Sequence, residues 1–173
     1  EKRKPIPKHE IIQIQKTCLK LADERRLVIA LISDTGMRLS EALGLVWGDV
    51  RLDHEYPHIN LVEHPWRQLK TSGSKRLVPL VGASLEAVKV MHQQGFSTQF
   101  LFPSYTSATK CNGNSASAAL NKWLKQYTGQ GVIHSFRHSF RDRLREAEVD
   151  VELTDQLGGW ASSTIGQSYG SGH

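Results

Sequence analysis

The six residues from Leu27 to Ile32 constrain the fold most, because all of them are apolar. A surface helix keeps one polar face, so a helix that is apolar nearly all round has to be buried on every side. We therefore expect a central helix that begins near Asp23 or Glu24. Gly36 is expected to end it, because glycine readily adopts the left-handed backbone that stops a helix.

The spacing of apolar residues predicts the helices around this central one. The segment 9–22 is amphipathic, a short helix contains Arg38 and Leu45, and Ser84 is expected to cap a longer helix. The remaining helices are predicted at 84–94, 115–127, 135–147 and 152–158, with a last short one before Tyr169.

From about residue 57 the period of the apolar residues falls to two, which is typical of strands. Three short strands are predicted at 57–61, 67–70 and 76–80. The turn between the last two is placed at 71–74, and Pro79 suits an edge strand because it has no N–H to donate. The predicted fold class is mainly α with a small three-stranded antiparallel sheet (α+β).

The chain has 173 residues, of which 39% are hydrophobic, so residues 9–173 are expected to form one domain. The first eight residues are basic and contain two prolines, as a linker does. Cys18 and Cys111 are far apart and lack CxxC spacing, so a reduced, cytoplasmic environment is expected. No apolar run approaches the roughly 20 residues of a membrane span. The net charge of +5 suits a polyanion such as nucleic acid.

The first candidate site residue is Arg38, which follows Gly36 at the point where a helix begins. Glu41 is three residues later, so the two side chains can lie on one helix face and the carboxylate can orient the guanidinium. An oriented guanidinium can bind a phosphate. The alternative is a solvated ion pair that contributes little stability, and this segment alone leaves both interpretations open.

A second cluster lies between His134 and His138. His134 and Arg137 belong to the first turn of a predicted helix, where backbone N–H groups also favour an anion. Arg38 and Arg137 together could hold both non-bridging oxygens of one phosphodiester. Further along the same helix are basic side chains that we interpret as solvated or facing a DNA backbone, namely Arg141, Arg143 and Arg145.

His138 is four residues after His134, a spacing that metal ligands also use. No acidic residue stands between or beside the two, and Arg137 next to a cation would be unfavourable. A packed or capping His138 is therefore the favoured interpretation, and no metal site is predicted.

Tyr169 is the candidate nucleophile, nine positions after Trp160. A phenol with a reference pKa of about 10 attacks poorly at neutral pH unless its developing charge is stabilised. Two arginines and a histidine can supply that stabilisation. The alternative is an ordinary half-exposed aromatic residue near the end of the chain.

Taken together these segments resemble the tyrosine recombinases, also called phage integrases. The matching segments, in order, are Thr35–Leu43 with Trp47–Val50, Gln68–Thr71 with Arg76–Leu80, His134–His138, Leu157–Trp160, and Tyr169. Each segment is a weak signal, but five in register over essentially the whole chain make coincidence very improbable.

The resemblance implies a site-specific DNA recombinase, a phage or prophage integrase that works through a covalent 3′-phosphotyrosyl intermediate and needs no cofactor. Tyr169 would attack the phosphodiester, Lys70 would protonate the leaving 5′-oxygen, and Glu41 would orient Arg38. The implied catalytic residues are Arg38, Lys70, His134, Arg137, Trp160 and Tyr169. The residues expected to contact DNA are Lys75, Arg76 and Arg141.

The resemblance also implies partners: double-stranded DNA with attachment-type sites, and further protomers that form a tetramer on that DNA in the bacterial cytoplasm. Residues 1–8 would then be the linker from a missing N-terminal DNA-binding domain. Without that domain we expect weak, strongly salt-dependent DNA binding. With only four residues after Tyr169, the final helix is expected to be mobile in the absence of DNA.

Two departures and two rival functions accompany the resemblance. Most prokaryotic members have histidine where this chain has Trp160, and Lys75 lies near the same turn as Lys70 and competes with it for the role of acid. One rival is a type IB topoisomerase-like enzyme that relaxes DNA without pairing sites. The other is a non-catalytic DNA-binding remnant of a defective prophage.

Overall fold

The computed structural model describes residues 4–129 and 131–160 of the chain. Tyr169 and the short helix predicted before it lie outside the described residues. The helices are α1 (Lys8–Leu21), α2 (Glu24–Ser33), α3 (Leu39–Leu43), α4 (Gly82–Gln94), α5 (Gly113–Leu124), α6 (Ser135–Glu146) and α7 (Val151–Gly158). The strands are β1 (Val50–Arg51), β2 (His58–Leu61) and β3 (Arg76–Pro79), and short 3-10 turns cover Trp47–Asp49 and Ser72–Ser74.

Helix α2 is the buried centre of the fold, as its sequence predicts. Every residue from Leu27 to Ser33 is buried, and the helix packs against α1, α3, α4, α5 and α6. Asp23 caps it by accepting a hydrogen bond from the backbone N–H of Arg26 at 2.9 Å. The apolar run therefore holds together the helices that surround it.

The turn after α2 needs glycine at position 36 for two reasons. Gly36 has a φ of +67°, which an L side chain rarely adopts, and a Cβ atom there would lie 2.4 Å from Cδ2 of Phe140 in α6. Its N–H donates to the carbonyl of Ile32 at 2.9 Å. The close approach brings the start of α3 beside α6.

The three strands form one antiparallel sheet in the order β1-β2-β3. Val50 pairs with Ile59 in the first register, and His58 pairs with Pro79 in the second. The predicted three-stranded sheet is confirmed, and Pro79 lies on an edge strand as expected.

The predicted strand at 67–70 is wrong, because β1 supplies the third strand instead. The alternation at Arg67 and Leu69 reflects burial, since this segment joins no strand of the sheet and Arg67 forms an isolated bridge with His64. The Arg67 guanidinium donates to the carbonyl oxygens of Ser40 and Glu41, both at 3.2 Å. It therefore supplies hydrogen-bond donors to carbonyls in the last turn of α3. The chain between β2 and β3 is consequently a long loop that lies against α3.

Helix α4 begins at Gly82, two residues before the predicted cap at Ser84. The Asp34 carboxylate accepts a hydrogen bond from the backbone N–H of Ala83 at 2.8 Å. Asp34 therefore caps the first turn of α4, the role that was expected of Ser84. The Ser84 hydroxyl instead donates to the Leu31 carbonyl at 2.6 Å, which fastens α4 to the central helix.

The segment before α1 is packed against α6. Ile6 is buried, its N–H donates to the hydroxyl of Ser139 at 2.7 Å, and Lys8 forms an ion pair with Glu146 at 3.0 Å. Part of the segment predicted as a linker is thus joined to the helix that begins next to His134.

Both cysteines are free thiols. Burial raises the pKa of Cys18 to about 12, so this thiol stays protonated at neutral pH. Among the helices of residues 4–129 and 131–160, none has the length and apolar character to cross a membrane.

Candidate active site

Arg38 and Glu41 are joined at the start of α3, as their spacing predicts. Arg38 is the N-cap residue, and its backbone N–H donates to Oε1 of Glu41 at 2.8 Å. Its Nη1 atom donates to Oε2 of the same carboxylate at 3.1 Å. Glu41 is only 1% exposed, so this is a buried ion pair and the solvated alternative is wrong.

The second partner of Glu41 is Arg76, from β3. Its Nη2 atom donates to Oε1 and its Nη1 atom to Oε2, both at 3.0 Å, and its side chain is 5% exposed. The expectation that Arg76 faces DNA does not fit this placement, because its planar fork is directed into the protein. Burial by itself would raise the pKa of Glu41, but the hydrogen bonds and charges of Arg76 and Arg38 lower it.

The loop before β3 is joined to the same pair. The Ser74 hydroxyl accepts from Nη1 of Arg38 at 3.2 Å and lies 2.9 Å from the hydroxyl of Thr71. Lys70 and Lys75 stand at the two ends of this loop and are both exposed. Either ammonium can therefore approach a substrate from solvent, and the competition between them for the role of acid stays open.

Arg137 comes from the first turn of α6 and is 3% exposed. Its Nη1 atom donates to the Gly36 carbonyl at 2.9 Å, whereas its Nη2 atom is buried without a hydrogen-bond partner among the described residues. Burial first, and then the charge of Arg38, lower the pKa of Arg137 to about 9. A buried guanidinium with an unused donor beside a second guanidinium favours an anion.

His134 is the N-cap residue of α6, one turn before Arg137. Its ring lies edge-on to the ring of His138, with the centroids 5.5 Å apart. His138 is exposed and lies within α6, so it does not cap the helix, and the packing expected of it is the ring contact with His134. Among the residues that the structure describes, no group of three or more His, Cys, Asp or Glu side chains could hold a metal ion.

Trp160 lies against Arg137 after the end of α7. The Arg137 Cζ atom is 4.4 Å from the centre of the indole, and that of Arg141 is 4.9 Å away. The two glycines before Trp160 allow this placement. A Cβ at Gly158 would lie 1.8 Å from the indole, and Gly159 ends α7 with a φ of +67°. Trp160 thus contacts two guanidiniums through its face.

The other arginines of α6 differ in their surroundings. Arg141 is 37% exposed and forms an ion pair with Asp155 at 3.4 Å, so its contact with DNA stays a prediction. Arg143 is not simply solvated, because its guanidinium pairs with Asp34 at 2.8 Å and joins α6 to the end of α2. Arg145 is 72% exposed, as expected.

The structure therefore brings the predicted residues Arg38, Glu41, Arg137 and Trp160 into one cluster, with His134 one turn from Arg137. Tyr169 lies outside the described residues. The sequence interpretation missed the structural role of Arg76. A signal was available, because strand periodicity places Arg76 on the same face as the buried Val78.

The cluster carries an excess of positive charge. Within residues 4–129 and 131–160, four guanidiniums, those of Arg38, Arg76, Arg137 and Arg141, face two carboxylates, those of Glu41 and Asp155. Positive charge held by buried groups in fixed positions stabilises an oxyanion more than flexible surface charge does. The arrangement suits a substrate that gains negative charge during reaction, as a phosphodiester under attack does.

Comparison with known proteins gives the same assignment. Residues 4–171 match the model of the phage integrase family. The tyrosine recombinase XerC of Neisseria gonorrhoeae is 30% identical over 154 residues, which cover 86% of this chain and 47% of XerC. The tyrosine recombinase XerD of Corynebacterium glutamicum is 30% identical over a region that covers 83% of this chain and 47% of XerD. The chain thus spans about half the length of these relatives.

Solved structures agree on the fold. A crystal structure of XerA recombinase has a TM-score of 0.68 at 17% identity, covering 96% of this chain and 58% of that one. The Tn1549 transposon integrase in complex with a circular intermediate DNA has a TM-score of 0.70 at 14% identity, covering 99% of this chain and 65% of that one. The chain belongs to the phage integrase family and has the fold of a tyrosine recombinase catalytic domain.

Proposed function

We propose that this chain is the catalytic part of a site-specific DNA recombinase that forms a covalent 3′-phosphotyrosyl intermediate. The observation that carries the proposal is that Arg137 lies close enough to Arg38 for their charges to interact, with Arg38 held by the buried Glu41 carboxylate and the Nη2 donor of Arg137 unused by the described residues. Two such guanidiniums can bind the two non-bridging oxygens of one phosphodiester.

In the proposed reaction, the Tyr169 oxygen attacks phosphorus and the bond from phosphorus to the 5′-oxygen breaks. The phenol loses its proton, which His134 or water accepts, and the leaving oxygen takes a proton from Lys70. Attack by a 5′-hydroxyl of another strand reverses the step and rejoins the DNA. The phosphotyrosyl bond conserves the energy of the broken bond, so no nucleotide cofactor is needed.

Arg38 and Arg137 stabilise the added negative charge of the pentacoordinate transition state. Loss of either is expected to cost about 3 kcal/mol, by comparison with the loss of an oxyanion-hole donor. Trp160 packs its face on Arg137 and has one N–H donor. It cannot transfer a proton, so acid–base chemistry falls to other residues.

The proposed partners are double-stranded DNA with attachment-type sites and further protomers of the same protein, as a tetramer on DNA. A structure with the same fold, a lambda integrase tetramer bound to a Holliday junction, supports this assembly. A phage or prophage origin is part of the proposal and is supported by the family that the chain matches. Lys75 and Arg141 are proposed to contact the DNA backbone.

The proposal is tested by trapping the covalent intermediate. The protein is incubated with a duplex that is nicked next to the cleavage position, so that the 5′-hydroxyl fragment is lost, and the mixture is then denatured. A DNA-linked protein band is expected for the wild type and for the control Tyr56→Phe, because Tyr56 is 72% exposed on the β1–β2 connection. Tyr169→Phe is expected to remove the band. An adduct that survives this substitution would place the nucleophile elsewhere.

The rivals are separated by a second measurement on plasmid DNA. A type IB topoisomerase-like enzyme relaxes supercoils on arbitrary sequence, whereas a recombinase yields joint or exchanged molecules only between paired sites. A non-catalytic remnant does neither and forms no adduct. Relaxation of arbitrary plasmids without joint molecules would replace the proposed function by the first rival.

A further inference from the structure

The side chain of Arg76 has more structural partners than any other arginine of the candidate site. Its Nε atom donates to the Leu157 carbonyl at 3.1 Å, and Nη1 donates to the Ser74 carbonyl at 2.7 Å as well as to Glu41. Its Nη2 atom donates to the other oxygen of Glu41. One buried guanidinium thus joins α3, the loop before β3 and the end of α7.

The Glu41 carboxylate is fully occupied as a result. Each of its two oxygens accepts one hydrogen bond from Arg38 and one from Arg76, at 2.8 to 3.1 Å. A carboxylate has about four lone-pair positions, so these four bonds fill it. Arg38 can therefore give only its backbone N–H and one guanidinium nitrogen to Glu41.

Because the carboxylate is occupied in this way, some N–H donors of the Arg38 guanidinium stay available for a substrate. A guanidinium beside an unshared carboxylate closes on it with two parallel N–H bonds, which is the strongest geometry for this pair. Arg76 already holds that geometry on Glu41. Arg38 is kept on the edge of the carboxylate, 17% exposed, and the rest of its guanidinium is not committed to Glu41.

We propose that Arg76 is a positioning residue, which holds Arg38 in its phosphate-binding orientation by occupying the Glu41 carboxylate. This inference rests on the proposed function. Arg76 is not a catalytic residue, because it is directed into the protein and acts through Glu41 and Arg38. Its contact with Leu157 also places it next to Gly159, where a Cβ atom would lie 2.6 Å from Nη1 of Arg76.

The sharpest test is Arg76→Lys, which keeps the charge and removes the fork. A single ammonium cannot bond both oxygens of Glu41 in parallel, so Arg38 is free to close on the carboxylate and turn from the phosphate. The rate of covalent adduct formation in a single turnover at saturating DNA is expected to fall on the order of 100-fold, the effect of a small misplacement of a catalytic group. The Kd for DNA is expected to stay within about two-fold, because phosphate contacts at the surface are retained.

The control is Arg51→Lys, an exposed arginine of the same sheet, which is expected to leave the rate unchanged. A double-mutant cycle with Glu41→Gln identifies the route of the effect. In the Glu41→Gln background there is no carboxylate to attract Arg38, so Arg76→Lys is expected to slow the reaction far less than in the wild type.

The outcomes separate the two proposals. If the wild type forms no adduct, the proposed function fails. If the wild type forms it and Arg76→Lys forms it equally fast, or if the loss is the same in both backgrounds, the positioning role of Arg76 is overturned. Should Arg76→Lys not fold, Gly159→Ala is measured in both the wild-type and the Glu41→Gln backgrounds, because its added methyl group would lie 2.6 Å from Nη1 of Arg76, and a loss caused through Trp160 would not depend on Glu41. An unchanged adduct rate in that folded variant would equally overturn the inference.

Discussion

The Nη1 atom of Arg137 donates a hydrogen bond of 2.9 Å to the carbonyl oxygen of Gly36, a residue 101 positions earlier in the chain. Two residues after Gly36 comes Arg38, so this bond fixes the separation between the two arginines that we propose to bind the phosphate. The backbone of the turn thereby sets the distance between Arg38 and Arg137. The geometry of this turn depends on Gly36, which has a φ of +67°.

Gly36→Ala is expected to destabilise the protein by about 2 to 4 kcal/mol. The left-handed backbone costs an alanine about 1 kcal/mol or more, and the methyl group would overlap the Phe140 ring. Urea unfolding measures the effect. The matched control is Gly113→Ala at the first residue of α5, where a Cβ meets nothing within 4 Å. Equal stability of the two variants would contradict the role given to Gly36.

Inorganic phosphate is expected to stabilise the wild type through Arg137. The charges of Arg38 and Arg137 repel one another, which an anion between them offsets. At ten times its Kd, a bound phosphate adds about 1.4 kcal/mol to the free energy of unfolding.

Thermal unfolding at constant ionic strength measures this effect in the wild type, Arg137→Gln and the control Arg145→Gln, whose site is exposed. The rise in Tm that phosphate causes should disappear only in Arg137→Gln. A gain of the same size in all three proteins would mean that phosphate acts on the surface in general.

Stability should fall in acid partly because of Glu41. Its pKa is lowered in the folded protein, so the unfolded chain takes up the proton first as the pH decreases. The stability from its ionised form is therefore complete above the usual carboxyl pKa of about 4.3 and is lost as the pH falls through the lowered pKa.

Glu41→Gln is expected to be less stable near pH 7 by about 3 to 5 kcal/mol, because the largely buried guanidinium of Arg76 and the partly buried one of Arg38 lose their partner. The difference between wild type and variant should shrink as the pH is lowered from 5 to 3. Urea unfolding at several pH values gives this difference directly. A difference that stays constant over this range would show that Glu41 is not the group that titrates.

Ser139→Ala is expected to weaken the attachment of the segment before α1. The Ser139 hydroxyl accepts the buried N–H of Ile6 at 2.7 Å, and its loss leaves that N–H without a partner. The expected cost is about 1 to 3 kcal/mol. Hydrogen exchange of the Ile6 amide should accelerate, whereas Ser115→Ala at an exposed position of α5 should change neither quantity.

Much of the fold was predictable because its strongest signals are local. The apolar run Leu27–Ile32 has no polar face to expose, so it predicts the buried central helix. The positions of Arg38 and Glu41 lie within one turn of helix and predict their pairing. The family resemblance added the order of the site segments. The central helix and the Arg38–Glu41 pair were predictable because each depends on residues that are neighbours in the chain.

The misassigned features depend on contacts between distant segments. Strand β1 has two residues and exists through pairing with Ile59, which no local pattern reveals. Arg67 alternates like a strand residue but is buried against α3. The resemblance implies that Arg76 contacts DNA, whereas its position in the strand directs it inward to Glu41. A basic side chain at a buried strand position needs a carboxylate partner, and that partner can come from a distant segment that is identified only in the folded structure.

The contact between Ile6 and Ser139 spans 133 positions, and that between Arg143 and Asp34 spans 109. Contacts of such sequence separation form late, because a long loop has to close before they stabilise anything. During synthesis, α1 can pack against α2 early, but the segment before α1 gains Ser139 as a partner only after α6 has left the ribosome. Arg137 reaches the Gly36 carbonyl across 101 positions of the chain, so the two arginines that we propose to bind the phosphate come together only once α6 is available.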